Sequence, residues 1–246
     1  MLDSKKICVT TTAMYRPELL EKTYNSLVNK ISWLNFKEID LYINFDLFPN
    51  LSGIEKKEEV IEICYKYFSN VYFNFPESPS FSNAVKWCFS QVKSDFVLNV
   101  EDDWEFLYTI PISLLDYFKD EKIQQVGFRA WQISEPRFVL SPSILRGSFC
   151  NTVAKTIKFH ENPEQSIRAN NPFFHSLKES FLYWPFENDF VILRDLGREW
   201  LKTTTFARGE DDWTRWTYIR SPIIRKLQQN SLDQNSHINW EKLENN

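Results

Sequence analysis

The stretch Phe96-Val97-Leu98-Asn99-Val100-Glu101-Asp102-Asp103-Trp104 joins a short apolar run to three consecutive carboxylates. An apolar run this short, with β-branched residues and an abrupt polar end, reads as a buried strand. Working back from it, residues 80–92 open on Ser-Phe-Ser-Asn, a good N-cap region. They place Phe81, Val85, Phe89 and Val92 on one helical face that feeds the strand at 95–100. Earlier still come a strand at 71–75, a helix at 55–68 with Val60, Cys64, Tyr67 and Phe68 inward, and a strand at 39–45 that ends on Asp46. The first unit is a β-branched strand at 7–12, then Pro17 where the first helical turn tolerates a missing N–H. Leu20, Tyr24, Leu27, Val28 and Ile31 follow at helical spacing. Three βα units in succession predict a mostly parallel sheet with right-handed crossovers, whose ligands gather at the carboxyl ends of the strands.

Downstream the pattern loosens into an α+β half. It predicts a helix at 112–118, strands at 125–129 and 138–140, and a helix from about 143 to 157. The fold class expected is α/β: a Rossmann-like, mixed but mainly parallel sheet flanked by helices, in one domain with a C-terminal extension. The domain is read as residues 1–205, with halves 1–104 and 105–205, and the extension as 206–246, rich in tryptophan and arginine.

The chain has 246 residues, 43% hydrophobic and 16% aromatic, enough to fill a sizeable core, and a net charge of −4. That balance writes no general attraction to nucleic acid or anionic membrane into the chain, although a nucleic-acid acceptor is not excluded. Cys8, Cys64, Cys88 and Cys150 are far apart and read as small buried hydrophobes rather than a disulfide or zinc framework. With no signal-like apolar segment at the N-terminus and no apolar run of membrane-spanning length, the expectation is a cytoplasmic protein with no membrane span. A P-loop, Gly-x-Gly-x-x-Gly, Gly-x-Ser-x-Gly and HExxH are all absent from the sequence.

Three carboxylates on one turn repel one another and raise each other's pKa unless a counter-charge is present. A hard divalent cation, Mg²⁺ or Mn²⁺, is one such counter-charge, and a solvated acidic turn is the other reading.

The run Ile7-Cys-Val-Thr-Thr-Thr, then Arg16-Pro-Glu-Leu-Leu and Thr23-Tyr-Asn-Ser-Leu27, resembles the opening of the inverting family-two glycosyltransferases of the GT-A fold. In the same order Asp46 ends the second strand, Asn83 precedes the acidic turn, and Glu101-Asp102-Asp103 resembles that family's Asp-x-Asp motif, with Glu in place of the usual first Asp. The resemblance implies a metal-dependent transfer from a nucleotide sugar, UDP-linked by default, to the hydroxyl of a glycan or other acceptor. By the same resemblance Asp103 is the metal ligand and Glu101 a ribose or second metal contact. Asp102 is then a supporting carboxylate, Asp46 a uracil or ribose contact, and Thr11, Thr12, Arg16 and Asn83 further donor-side residues.

An inverting transfer needs a carboxylate to accept the acceptor's proton. Glu164, with Glu161 behind it, is the first candidate, in Glu161-Asn-Pro-Glu-Gln-Ser-Ile-Arg168. The plainer reading makes Asn162 an N-cap, Pro163 the first helical residue and Glu164 a first-turn acid. Asp211, in Glu210-Asp-Asp-Trp213, is the rival base, and His237 a late candidate metal ligand. Two other functions fit the pattern less well: a nucleotidyltransferase, for which Thr10-Thr-Thr-Ala-Met-Tyr-Arg is not the expected glycine-rich loop, and a non-catalytic, aromatic-rich carbohydrate-binding protein.

Overall fold

The computed structural model describes residues 6–47, 56–130, 137–158, 162–170, 180–185 and 190–203. Its first half is three βα units and a fourth strand: β1 (Ile7–Met14), α1 (Pro17–Lys30), β2 (Asp40–Asp46), α2 (Lys57–Tyr67), β3 (Asn70–Asn74), α3 (Phe81–Ser90) and β4 (Phe96–Glu101). There follow β5 (Trp104–Phe106), a 3₁₀ helix (Ile112–Lys119), β6 (Gln125–Phe128), β7 (Ser143–Arg146), α4 (Gly147–Ala154), α5 (Pro163–Asn170), β8 (Phe181–Trp184), β9 (Leu193–Asp195) and α6 (Leu196–Thr203).

Seven strands form one sheet in the order β3-β2-β1-β4-β7-β6-β8. All its neighbours pair in parallel except β7, which runs antiparallel to both β4 and β6. The chain moves outward from β1 to β3 and then returns to place β4 on the other side of β1, so the sheet has its topological switch between β1 and β4. In open α/β sheets this switch point, at the carboxyl ends of the strands, is where ligands bind. A separate antiparallel pair, β5 with β9, stands beside it.

The alternation along β4 feeds a core on each face. Phe96, Leu98 and Val100 pack with Leu20, Tyr24 and Leu27 of α1 and with Val60 and Cys64 of α2. Val97 packs on the other face with Val85 and Phe89 of α3, Phe149 and Val153 of α4, and Ile167 of α5. Each such fully buried side chain contributes about 1.5–3 kcal/mol. All four cysteines are buried and free, as expected.

Two elements of the second half differ from the sequence expectation. Residues 143–146 are a strand, not the start of a helix, because they pair with β4 and β6 in the middle of the sheet. The helix begins only at Gly147, where a Cβ would stand 1.9 Å from the Ser94 carbonyl oxygen. Residues 138–140 are not a strand but a segment laid over the sheet, its backbone bonded by side chains. Gln125 accepts from Val139 N and donates to Val139 O, and Asn99 Nδ2 donates to Leu140 O. Glu164 accepts from Leu140 N and Arg168 donates to Phe138 O. The segment at 112–118 is a 3₁₀ helix. The proposed extension, residues 206–246, lies outside the described residues.

Candidate active site

Both sides of the switch point contribute to one site. Asp102 follows β4, and Arg16 follows β1 and precedes the Pro17 start of α1. The Arg16 guanidinium donates from Nε to Asp102 Oδ2 (3.2 Å) and from Nη2 to Asp102 Oδ1 (2.5 Å). The Met14 backbone N–H adds a third bond to Oδ2 (3.0 Å), and Asp102 is only 2% exposed. Thr23 Oγ1 of α1 donates to the Asp102 carbonyl and accepts from Trp104 N, which ties the turn to the helix. The counter-charge that the crowded carboxylates require is therefore supplied in part by an arginine. Asp102 is held by Arg16 and the β1 backbone, which makes it an anchor of the turn.

The flanking acids are differently placed. Asp103 accepts from Arg16 Nη2 through Oδ2 (3.1 Å), and its side chain is 22% exposed. Among the described residues no hydrogen bond reaches its Oδ1. Glu101, paired in register with Thr12, is partly buried and accepts Trp104 Nε1 through Oε2 (2.8 Å), and its Oε1 accepts none among the described residues. Burial, and then the charge of Asp103, push the Glu101 carboxyl well above the usual glutamate range.

Helix α6 begins against this turn. Leu196 N donates to Asp103 O (2.8 Å), and a Cβ on Gly197 would come 2.2 Å from Asp103 Oδ2. Trp200 lies with its ring centroid 5.4 Å from the Arg16 guanidinium carbon. Asp195, immediately before α6, caps it by accepting Arg198 N at 2.8 Å and pairs with Arg198 Nε at 2.9 Å. Burial raises its pKa, with the nearby Asp103 adding to the effect. Sequence reasoning missed Asp195. Its one local signal was the N-cap pattern of an Asp before Leu-Gly-Arg-Glu-Trp.

The remaining expected residues are distributed around this centre. Thr11 is fully buried in β1 and accepts the Tyr24 hydroxyl, so it fastens α1 to the sheet, and Thr12 lies beside Glu101 in register. Asp46, at the carboxyl end of β2, is 6% exposed, accepts Asn44 Nδ2 and Ser80 N, and is raised by burial to about 6. Asn83 is exposed in the first turn of α3. Beside Asp46 lies an aromatic cluster in which the partly buried Tyr15 and Phe75 rings flank the fully buried Phe45, with centroids 5.6–6.4 Å apart. Glu164 sits in the first turn of α5, after an Asn162 cap and Pro163. Its carboxylate accepts Leu140 N (2.7 Å) and pairs with Arg168 (3.0 Å). Asp211, His237 and Glu161 lie outside the described residues.

Among the described residues no group of three or more His, Cys, Asp or Glu forms a metal cage. The donor set instead fits a divalent ion that takes one or two carboxylate oxygens from the protein and the rest from substrate phosphates and water. Asp103 Oδ1 and Glu101 Oε1 are the oxygens available.

No protein-family model and no curated protein sequence matches the chain. Solved structures do. The mannosyltransferase of Pyrobaculum calidifontis in complex with GDP-Man and Mn²⁺ superposes with a TM-score of 0.50 at 7% identity, over 73% of this chain and 54% of that one. Glucosyl-3-phosphoglycerate synthase of Mycobacterium tuberculosis, in complex with Mn²⁺, UDP and glucosyl-3-phosphoglycerate, gives 0.50 at 13% identity, over 74% of this chain and 70% of that one. A cytidylyltransferase of Leptospira borgpetersenii gives 0.47 at 15% identity, over 96% of this chain and 99% of that one. This chain thus spans about half the length of the mannosyltransferase. The fold is the GT-A fold, a single mainly parallel α/β sheet flanked by helices, as the strand order and the first two superpositions agree. No helix of the described residues is long and apolar enough to cross a membrane.

Proposed function

We propose that this chain is a metal-assisted glycosyltransferase that moves a sugar from a nucleotide sugar, UDP-linked, to an acceptor hydroxyl with inversion. The observation that carries the reading is the placement of Glu101 and Asp103 at the carboxyl end of β4, beside the switch point, each with one carboxylate oxygen free of hydrogen bonds among the described residues. Asp103, with Glu101 beside it, would hold Mn²⁺ or Mg²⁺. When bound, the ion supplies positive charge to the leaving diphosphate. The nucleoside lies over the ends of β1 to β3, where Asp46 meets the Tyr15–Phe75 aromatic cluster and a flat base can stack.

For the proton of the acceptor we favour Asp195 over Glu164. Both are occupied by arginine, but Arg198 is largely exposed, so its pair with Asp195 is weak and solvent-screened. Glu164 instead pairs with the less exposed Arg168 and holds the backbone N–H of a separate segment at Leu140, whereas the backbone N–H on Asp195 is the cap of the helix it begins. Asp195 also stands next to Asp103, and its raised pKa brings it nearer the range of a useful base. Binding of UDP-, GDP-, CMP- and dTDP-sugars, measured by thermal shift with and without Mn²⁺, tests the proposal. One nucleotide class should stabilise the protein only with metal, and no stabilisation by any of them removes the reading.

A further inference from the structure

Arg129, just beyond the carboxyl end of β6, is a buried cation with no counter-ion among the described residues. It is 4% exposed, and among the described residues no carboxylate pairs with it. Its Nε donates to the Pro185 carbonyl (2.9 Å), and its guanidinium carbon lies 6.0 Å from the Tyr183 ring centroid. Nη1 is buried with no hydrogen-bond partner among the described residues. Burying a guanidinium without a counter-ion is costly, and an unmatched buried polar group in a native structure calls for an explanation such as a bound ion.

The register of the sheet locates this cation. Ser143 of β7 pairs with Asn99 on one side and Gly127 on the other, so Asn99 and Gly127 are level across the sheet. Two residues further along each strand come Glu101 and Arg129. Strand alternation puts both on the same face, about 10 Å apart across two strand spacings. The Arg129 backbone extends the ladder, with its N–H on Trp184 O and its carbonyl accepting Ile192 N. On that face α5 brings Glu164, while Tyr183 lies close to Gly127, where a Cβ would stand 3.0 Å from the ring. An anion near Arg129 therefore sits on the ligand end of the sheet, on the side of Glu101 away from the β1–β2 nucleoside position.

We infer that Arg129 is an oxyanion subsite that receives a carboxylate or phosphate group of the acceptor, so the acceptor is an anionic sugar, phosphosugar or similar molecule. The assignment to the acceptor rests on the transferase reading, whereas the oxyanion site itself does not. Arginine presents a planar fork of donors that matches carboxylate and phosphate, and the two groups share this chemistry.

The test uses the full chain with inorganic phosphate, glucuronate and UDP plus Mn²⁺ as probes, on wild type, Arg129→Met, Arg129→Lys and Asp103→Ala. Phosphate and glucuronate should bind the wild type, and Arg129→Met should weaken both by about tenfold or more, with Arg129→Lys retaining part of the affinity. Ligand-free Arg129→Met should melt at or above the wild-type temperature, because an unmatched charge has been removed. Asp103→Ala should lose UDP and keep phosphate binding, which separates this site from the donor site. A lower ligand-free melting temperature in Arg129→Met, with wild-type binding of phosphate and glucuronate retained, assigns Arg129 to structure alone and overturns the inference. So does a wild type that binds neither anion. If UDP with Mn²⁺ displaces phosphate from Arg129, the anion belongs to the donor and the acceptor assignment is wrong.

Discussion

The Arg16 guanidinium and the Asp102 carboxylate meet in two hydrogen bonds, 3.2 Å at Nε and 2.5 Å at Nη2, across the switch between β1 and β4. Both residues are more than nine-tenths buried. Removing Arg16 leaves the buried Asp102 charge without its counter-ion, so Arg16→Met should cost about 3–5 kcal/mol of stability, whereas Asp102→Leu should cost less because Arg16 keeps Asp103 at 3.1 Å. The double variant should cost clearly less than the sum of the two. Urea denaturation of the four proteins checks this, and additive losses would show that the pair is not coupled.

Gly197 is constrained by Asp103 rather than by its backbone, since a Cβ there would stand 2.2 Å from Oδ2. Gly197→Ala should push Asp103 or α6 aside, at a cost of about 1–3 kcal/mol, and weaken Mn²⁺-dependent UDP binding more than stability accounts for. Calorimetric titration of the variant against the wild type reads the effect.

How much of this was legible in the sequence divides at Trp104. The first half carries long amphipathic helices and strands with clear apolar runs, and each expected element there is found. In α1 the stripe Leu20, Tyr24 and Leu27 is buried, with Ile31 at its end. The second half is built of three- and four-residue strands, too short for periodicity to separate them from loops or helix starts. Residues 143–146 were read as helix for that reason, and 138–140 as a strand although side chains, not a ladder, hold their backbone. The acidic turn and Arg16 are both read from the sequence as candidate site residues, but the bond between them spans 86 positions and leaves no local mark. Asp195 and Arg129 were missed likewise, because only the β5–β9 pair and the β6 register bring them to this end of the sheet.

Asp46 gives the stability curve a definite slope. Burial raises its pKa from an ordinary aspartate value to about 6, so the folded state holds this proton more tightly than the unfolded state. Its contribution is greatest below the unfolded pKa, falls as pH rises from roughly 4 to about 6, and is flat above that. Melting temperatures of wild type minus Asp46→Asn should fall across that window and then level off. A difference that rises with pH would mean that the carboxylate is stabilised as the anion.

The two candidate bases separate by kinetics. Asp195→Asn should lower kcat by about 10²–10⁴-fold while donor binding is retained. Glu164→Gln should instead loosen the 138–140 segment, which lowers stability by about 1–3 kcal/mol with a smaller loss of kcat. The opposite pattern would move the base to Glu164.

The central claim is that Asp103 and Glu101 serve a nucleotide-sugar donor. Its most direct test is calorimetric titration of UDP, with and without Mn²⁺, into wild type and Asp103→Ala, followed by slow hydrolysis of the matching UDP-sugar. The account predicts metal-dependent binding and hydrolysis by the wild type and loss of both in Asp103→Ala, with the variant still folded. Equal binding by the two proteins, or binding by the wild type that ignores the metal, would contradict it.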